Sequence, residues 1–385
     1  IDSGQPAMQV EREIAGLPVR LATLDIHTVG AGGGSIGWVD GGGLLKVGPQ
    51  SAGAVPGPAA YGRGGDAATV TDANFVLGRL SEADLLGGDM VCSADKAKKA
   101  VARLADALNL GLTAAAAGIV RIVNVNMVGA LRVVSVERGQ DPRDYALVAF
   151  GGAGPLHVAE VAEQMGIEQI IVPARPGLVS ALGLLEADAR ADFSLTTLCE
   201  ASAGSRGRLA TALAGLVDRA SAWAEEEGHD LATVNVERIA DMRYAGQNYE
   251  LGIALSSKHS SMDSVEILCD RFTEAHELNY GFASAGEPIE VVNLRARVMG
   301  VLTKPVPVTL EPTQSGEPGA MREVCFGEQG PVKAAVWQRR HLVAGQYLEG
   351  PAIIEQLDTT VPLFPGDTCT VDPLGNLIID FGGAP

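Results

Sequence analysis

The sequence predicts an α/β chain whose first part alternates strands, glycine turns and helices, followed by an α+β region and a β-rich C-terminal unit. Three observations carry this. Residues 145–150, the Gly151-Gly152-Ala153-Gly154 turn, 155–165 and 169–172 read as buried strand, tight turn, helix and second strand, a βαβ unit. After Asp192 long helical periodicities alternate with strand patterns. From Pro305 onward short apolar runs are punctuated at Gly350-Pro351, Pro365-Gly366-Asp367 and Pro373-Leu374-Gly375-Asn376. A chain of 385 residues exceeds a single core, and these changes of character set expected domains at 1–195, 196–305 and 306–385.

Residues 24–40, with Gly30-Ala31-Gly32-Gly33-Gly34-Ser35 at their centre, read as strand, glycine turn, strand. Glycines let the backbone approach an anion and turn several N–H groups toward it. Gly30, Gly32, Gly33, Gly34 and Ser35 are thus candidate phosphate contacts, and Asp25 is a candidate carboxylate for a magnesium ion. An ordinary hairpin with a polar turn gives the same pattern. His27 reads equally as a general acid or base and as a structural residue. Residues 51–65 are too rich in glycine and proline for a regular element, and a loop of that length favours an active-site wall. Tyr61 and Arg63 are its side chains suited to orient a polar ligand, Arg63 through a charge-assisted fork. Asp72 is placed to cap the next helix.

Residues 94–110 space Ala97, Val101, Leu104 and Leu108 as the apolar stripe of a surface helix, and a longer, mostly buried helix is expected over 113–136. The turn at 151–154 leaves N–H groups and the positive end of a helix dipole free to hold an anion or a flat base. It does not match the GxGxxG fingerprint, because Leu156 and His157 occupy the final glycine region, so a Rossmann reading is declined. His157 is read as structural. Beyond Asp192, helices are expected over 203–228 and 264–280, and strands over 234–244, 249–253 and 291–301. The C-terminal unit offers few catalytic groups besides Glu355 and Asp358.

Composition excludes several classes. A formal net charge of −18 argues against a nucleic-acid surface and suits a small-molecule substrate. The five cysteines are odd in number, widely spaced and free of CxxC pairs, which reads as reduced thiols in a cytoplasmic protein. No HxH or HExxH spacing supports a transition-metal site. The richest apolar stretch, 113–136, is interrupted by Arg121, Asn124, Asn126 and Arg132, so no membrane span is expected.

The ordered set of 24–40, 47–65, Thr69-Val70-Thr71-Asp72-Ala73-Asn74, Phe150-Gly151-Gly152-Ala153-Gly154-Pro155-Leu156-His157, 176–183, Arg243-Tyr244-Ala245-Gly246-Gln247 and Gly350-Pro351-Ala352-Ile353-Ile354-Glu355 closely resembles the hydantoinase A/5-oxoprolinase family. It covers essentially the whole chain. Members of that family are ATP-dependent and include subunits of hydantoinases, oxoprolinases and acetone or acetophenone carboxylases. The resemblance implies the second half of an actin-like ATPase (ASKHA) fold, with Gly30 to Ser35 against the phosphates of ATP and Gly151, Gly152, Ala153 and Gly154 against its adenosine. It implies ATP and Mg2+ as cofactors; with the residue readings above, Asp25 is expected as metal-holding and catalytic residue with His27, and Tyr61 and Arg63 at the substrate. No acidic glycine- and threonine-containing first phosphate loop precedes residue 25, so the chain is expected to be the later part of a longer family polypeptide. A cleavage product, a split subunit and a partial chain fit equally. The chain alone should be inactive without that N-terminal segment and a hydantoinase B-type partner subunit. The implied chemistry is phosphorylation of a carbonyl oxygen. The preferred reading is a cyclic-amide hydrolase, the next a ketone carboxylase, and the third, from another class, a non-catalytic scaffold.

Overall fold

The computed structural model describes residues 8–381, apart from 10–11, 15–16, 20–22, 83–89, 256–263, 285, 307–308, 311–315 and 328–329. It divides into two compact units, Ile1–Ala181 with Pro307–Pro385, and Leu182–Val306.

In the first unit β1 (Met8–Gln9) pairs with β4 (Thr23–Leu24), and β2 (Arg12–Ile14) with β3 (Leu17–Val19). β5 (Ser35–Val39) forms an antiparallel hairpin with β6 (Leu45–Ser51), closed by the second glycine cluster, where Asp40 Oδ1 accepts the amides of Gly42 and Leu44 at 2.9 Å each. The strands flanking the first glycine run therefore do not pair with each other. The run instead closes on itself over 32–35, because Ser35 supplies a hydroxyl that ties its own turn. α1 (Val70–Val76), α2 (Ala94–Leu108) and α3 (Leu112–Val134) pack together through Val70, Ala73, Val101, Ala105, Ile119 and Val123. α2 buries Ala97 and Val101 of the expected stripe together with Ala100 and Ala105, leaves Leu104 and Leu108 half-buried, and stops at Asn109 in the left-handed region, φ 54°. α3 is buried less than its composition suggests: Ala115, Ala116, Ile119, Val120, Val123 and Asn124 are all on the N-terminal half. By length and composition Leu112–Arg138 would suffice to cross a membrane; here its buried stripe packs on α1, α2 and α4 (Gly154–Met165). β7 (Leu147–Val148), α4 and β8 (Gln169–Val172) form the βαβ unit, with Leu147 beside Ile170 in a parallel pair.

α5 (Val179–Glu186) precedes the second unit's sheet, an antiparallel set in the order β11 (Leu251–Ala254), β10 (Asn235–Tyr244), β12 (Ile289–Gly300), β9 (Ala189–Glu200). α6 (Arg206–Glu226) lays Leu209, Leu213, Leu216, Ala220 and Ala224 on it, an i, i+4, i+7, i+11, i+15 stripe, and α7 (Val265–Tyr280) adds Leu268 and Phe272. This is the α+β region that the periodicities require.

The last stretch departs from the expected separate C-terminal domain. β13 (Ala320–Cys325), β14 (Pro331–Gln338), β16 (Ala352–Glu355) and β17 (Thr360–Leu363) make one sheet, while β15 (Tyr347–Glu349), β18 (Thr368–Val371) and β19 (Leu377–Asp380) extend the β7–β8 sheet through the pair β19–β8. The apolar face of α4 explains the merger. Val158, Ala159, Ala162 and Met165 share one core with Ile354, Val361, Leu363, Cys369 and Ile379, so neither segment has a closed core without the other. This packing sets the 356–359 connection beside the N-terminal turn of α4.

Candidate functional site

The first glycine turn is locked from inside. Ser35 N donates to Gly32 O at 3.0 Å and Gly32 N donates to Ser35 Oγ at 3.0 Å. Gly33 O accepts from Thr71 N at 2.8 Å and Thr71 Oγ1 at 2.9 Å, and Gly34 O accepts from Ala52 N at 2.9 Å. The carbonyls are thus committed to the protein, while among the described residues no hydrogen bond engages the N–H of Gly33 or Gly34. Side chains are excluded at both positions. A Cβ on Gly33 would lie 2.7 Å from Thr71 Oγ1, and one on Gly34 would lie 2.8 Å from Ser51 Oγ.

The second turn faces the first. A Cβ at Gly33 would sit 3.9 Å from Ala153 Cβ. Gly151 takes φ 80°, which glycine adopts without steric cost, and donates its N–H to Pro176 O at 2.8 Å. The connection between β16 and β17 holds the turn from the other side: Thr359 Oγ1 donates to Gly152 O at 2.9 Å, and Asp358 Oδ2 accepts the amide of Gly177 at 2.7 Å. A cleft of about 420 Å3 lies between these pieces, of a size that fits a small-molecule or cofactor site. Gly33, Gly34, Tyr61, Arg63, Gly152 and Ala153 all line it. Gly32, Ser35, Gly151 and Gly154 adjoin lining residues in sequence without lining the cleft themselves, and Gly30 lies three residues before Gly33.

Asp25 and His27 are elsewhere. Neither lines the cleft; the Asp25 carboxylate is held by Arg138, whose Nη2 donates to Oδ1 at 3.0 Å, and His27 is exposed. Among the described residues no group of three or more His, Cys, Asp or Glu is disposed to hold a metal ion.

The loop wall is built by Asp72. Beyond its capping box with Thr69, its carboxylate accepts the amides of Ala59 at 3.2 Å and Ala60 at 2.7 Å, which fixes the segment ending in Tyr61. Burial pushes the Tyr61 hydroxyl above its usual range. Arg63 reaches the sulfur of Met90 at 3.8 Å.

Sequence reasoning missed the buried polar chain behind the cleft. Arg79 Nη2 donates to Glu160 Oε1 at 2.8 Å, Asn124 Nδ2 donates to Glu160 Oε2, and Asn124 Oδ1 meets His157 Nδ1 at 2.8 Å. With the Asn124 amide so oriented, Nδ1 of His157 carries the proton. Burial, with a smaller contribution from Arg79, lowers His157 to about 4, so the ring is neutral. It lines the cleft, and its Nε2 is buried without a partner. Asn74 Oδ1, Gln356 Oε1 and Asp358 Oδ1, also on lining residues, are in the same condition. The signals were there in weak form: Asn124 interrupts an apolar helix, and Gln356 to Thr359 is a short polar break between two apolar strands.

A sequence profile described as hydantoinase/oxoprolinase matches residues 1–193, and that of the hydantoinase/oxoprolinase C-terminal domain matches 200–377. The chain belongs to the hydantoinase/oxoprolinase family. Within it, the chain is 41% identical over 367 residues to the uncharacterized protein MJ0964 of Methanocaldococcus jannaschii, covering 95% of this chain and 52% of that protein. It is 34% identical over 359 residues to the caprolactamase subunit alpha of Pseudomonas jessenii, covering 91% and 51%. Among solved structures, the nucleotide-free acetone carboxylase described under ATP-dependent acetone carboxylation superposes with a TM-score of 0.85 at 26% identity, over 98% of this chain and 55% of that one. The chain spans about half the length of the curated relatives it matches. Two solved relatives, an acetone carboxylase and the Pseudomonas jessenii caprolactamase, are described as ATP-dependent, and two curated relatives, the caprolactamase subunit alpha and an acetophenone carboxylase gamma subunit, are named as subunits.

Proposed function

We propose that this chain is the nucleotide-side part of an ATP-dependent enzyme that phosphorylates a carbonyl oxygen, in the first instance that of a cyclic amide, which water then opens. The observation that carries the reading is the convergence of the two glycine turns on one cleft, with the unengaged amides of Gly33 and Gly34 opposite Ala153. Such amides suit the β- and γ-phosphates, and the apolar wall of Leu80, Met90 and Leu156 suits a flat base. That pairing is the arrangement expected of the later half of an actin-like ATPase fold. For magnesium, one or two carboxylates plus phosphate oxygens normally suffice. Asp358 is the lining carboxylate with an unpartnered oxygen, whereas Glu355 is bonded to Arg322 at 2.6 Å and Gln338 at 2.9 Å and Asp25 to Arg138. When bound, Mg-ATP supplies the phosphoryl group; the protein's part is to align it and to keep bulk water from the activated amide.

The identity with a caprolactamase subunit supports the hydrolase. A ketone carboxylase is the second reading, supported by the higher TM-score to acetone carboxylase, 0.85 against 0.72 for the caprolactamase structure. The full activity is assigned to an assembly of this chain with the remaining part of the family polypeptide and a hydantoinase B-type subunit. The experiment is substrate-dependent ADP release by that assembly across cyclic amides and ketones, with and without bicarbonate. Release with a cyclic amide alone supports the hydrolase, release needing both ketone and bicarbonate supports the carboxylase, and no substrate-dependent release with any of them refutes the enzymatic reading in favour of a scaffold.

A further inference from the structure

The cleft's lining contains more than amides for an anion. His157 and Asn74 contribute buried acceptors with no protein partner, on side chains that adjoin Leu156 and Phe75 of one apolar cluster with Leu80, Tyr61 and Met90. Asn74 spends its Nδ2 on Val70 O at 2.9 Å, which leaves Oδ1 over. His157 spends its Nδ1 proton on Asn124, whose own orientation is dictated by the Glu160 carboxylate and, through it, by Arg79. A three-residue chain is thus devoted to presenting Nε2 as an acceptor. An acceptor buried without a donor is destabilising, and that cost is relieved only by a group bearing N–H or O–H. The ionised phosphates of Mg-ATP carry none.

We propose that His157 is a specificity-determining hydrogen-bond acceptor of this cleft, its Nε2 receiving an N–H of a neutral ring, with Asn124, Glu160 and Arg79 as the residues that position it. The shared chemistry is a ring bearing an N–H donor, which has two sources: the amino group of the adenine base, or the N–H of the cyclic amide. The inference rests on the proposed function for what enters the cleft. It assigns His157 a role distinct from general acid–base catalysis, since an imidazole whose basicity burial has lowered to about 4 is a weak proton acceptor at neutral pH and carries no proton to give at Nε2.

The test compares each ligand with a close isostere lacking the donor: ATP with purine riboside triphosphate, and δ-valerolactam with δ-valerolactone. Dissociation constants are measured with the complete assembly for the wild type, for His157→Asn, which retains a donor toward Asn124 but has nothing at the Nε2 position, and for His157→Gln, whose amide oxygen reaches that position. The expected result is that one of the two pairs is discriminated by about 10-fold or more in the wild type. That preference should fall to within about twofold in His157→Asn and return in part in His157→Gln. Whichever pair responds identifies the source. No preference for either pair in the wild type, or a preference that survives His157→Asn, overturns the proposal. Loss of ATP-coupled turnover with the preference intact would overturn only the functional reading on which it rests.

Discussion

Exchanging His157 for asparagine should change how the first unit's stability depends on pH, by an amount that follows from the burial of this one group. His157 titrates near 4 when folded and at an ordinary 6.5 when unfolded, so between these values the unfolded chain binds more protons and stability falls as the pH falls. From pH 7 to pH 5 the loss amounts to about 2 kcal/mol. Asp367 acts in the opposite sense. Burial raises its carboxyl from 3.8 to about 6, against the opposing hydrogen bond from Phe364 N at 2.9 Å, so the folded state holds the extra proton and stability rises by about 1 kcal/mol over the same interval. The wild type therefore shows only a shallow net slope from this pair, and its two components appear when one is removed. His157→Asn loses ring packing at every pH but gains about 2 kcal/mol at pH 5 relative to pH 7 when set against the wild type, a double difference in which all other titrating groups cancel. Urea unfolding followed by tryptophan fluorescence in a Trp223→Phe background measures it, since Trp38 and Trp337 belong to the first unit and Trp223 to the second. A double difference below about 0.5 kcal/mol would refute the neutral, buried imidazole on which the cleft's description depends.

Three further outcomes are expected. Gly33→Ala drives a methyl group against Thr71 Oγ1 and should weaken Mg-ATP binding about 10-fold; adding Thr71→Ala removes the clash and should recover part of it, and titration calorimetry showing no recovery would mean the turn's backbone, not its space, is what matters. Asp25→Asn should leave Mg-ATP affinity within about twofold, because its carboxylate serves Arg138, whereas Asp358→Asn should lower it about 10-fold; the reverse order in the same titration would restore Asp25 as the metal-holding residue. Asp72→Asn forfeits charge-assisted bonds to the amides of Ala59 and Ala60 and should cost about 2–3 kcal/mol of stability, read as a lowered urea midpoint with an unchanged slope.

Much of the architecture was legible because periodicity is local. The stripe Leu209, Leu213, Leu216, Ala220 and the βαβ run from 145 to 172 report their burial directly in their spacing. The glycine turns were legible as turns, but the partner strands around the first were not: Leu24 precedes the glycines and Ser35 follows them, yet they belong to different ribbons, since pairing is settled by long-range contacts that no short window contains. The same limit hid His157. Its neighbours in sequence mark only a helix start, and its character comes from Asn124 and Glu160, brought to it by the packing of α3 on α4.

Read alone, the chain's residues are enough to set its elements, its family and the chemical suitability of Gly33, Gly34, Gly152 and Ala153 for a nucleotide, because glycine's missing side chain and the apolar spacing of helices are properties of the residues themselves. Which carboxylates line the cleft with those glycines was decided by the fold. Asp25, adjacent in sequence, is drawn away by Arg138, and Asp358, far along the chain, is carried in because the apolar faces of β16 and β17 can be buried only against α4. Burial free energy summed over that core outweighs proximity along the chain, and so the site is assembled from segments that no local pattern could join.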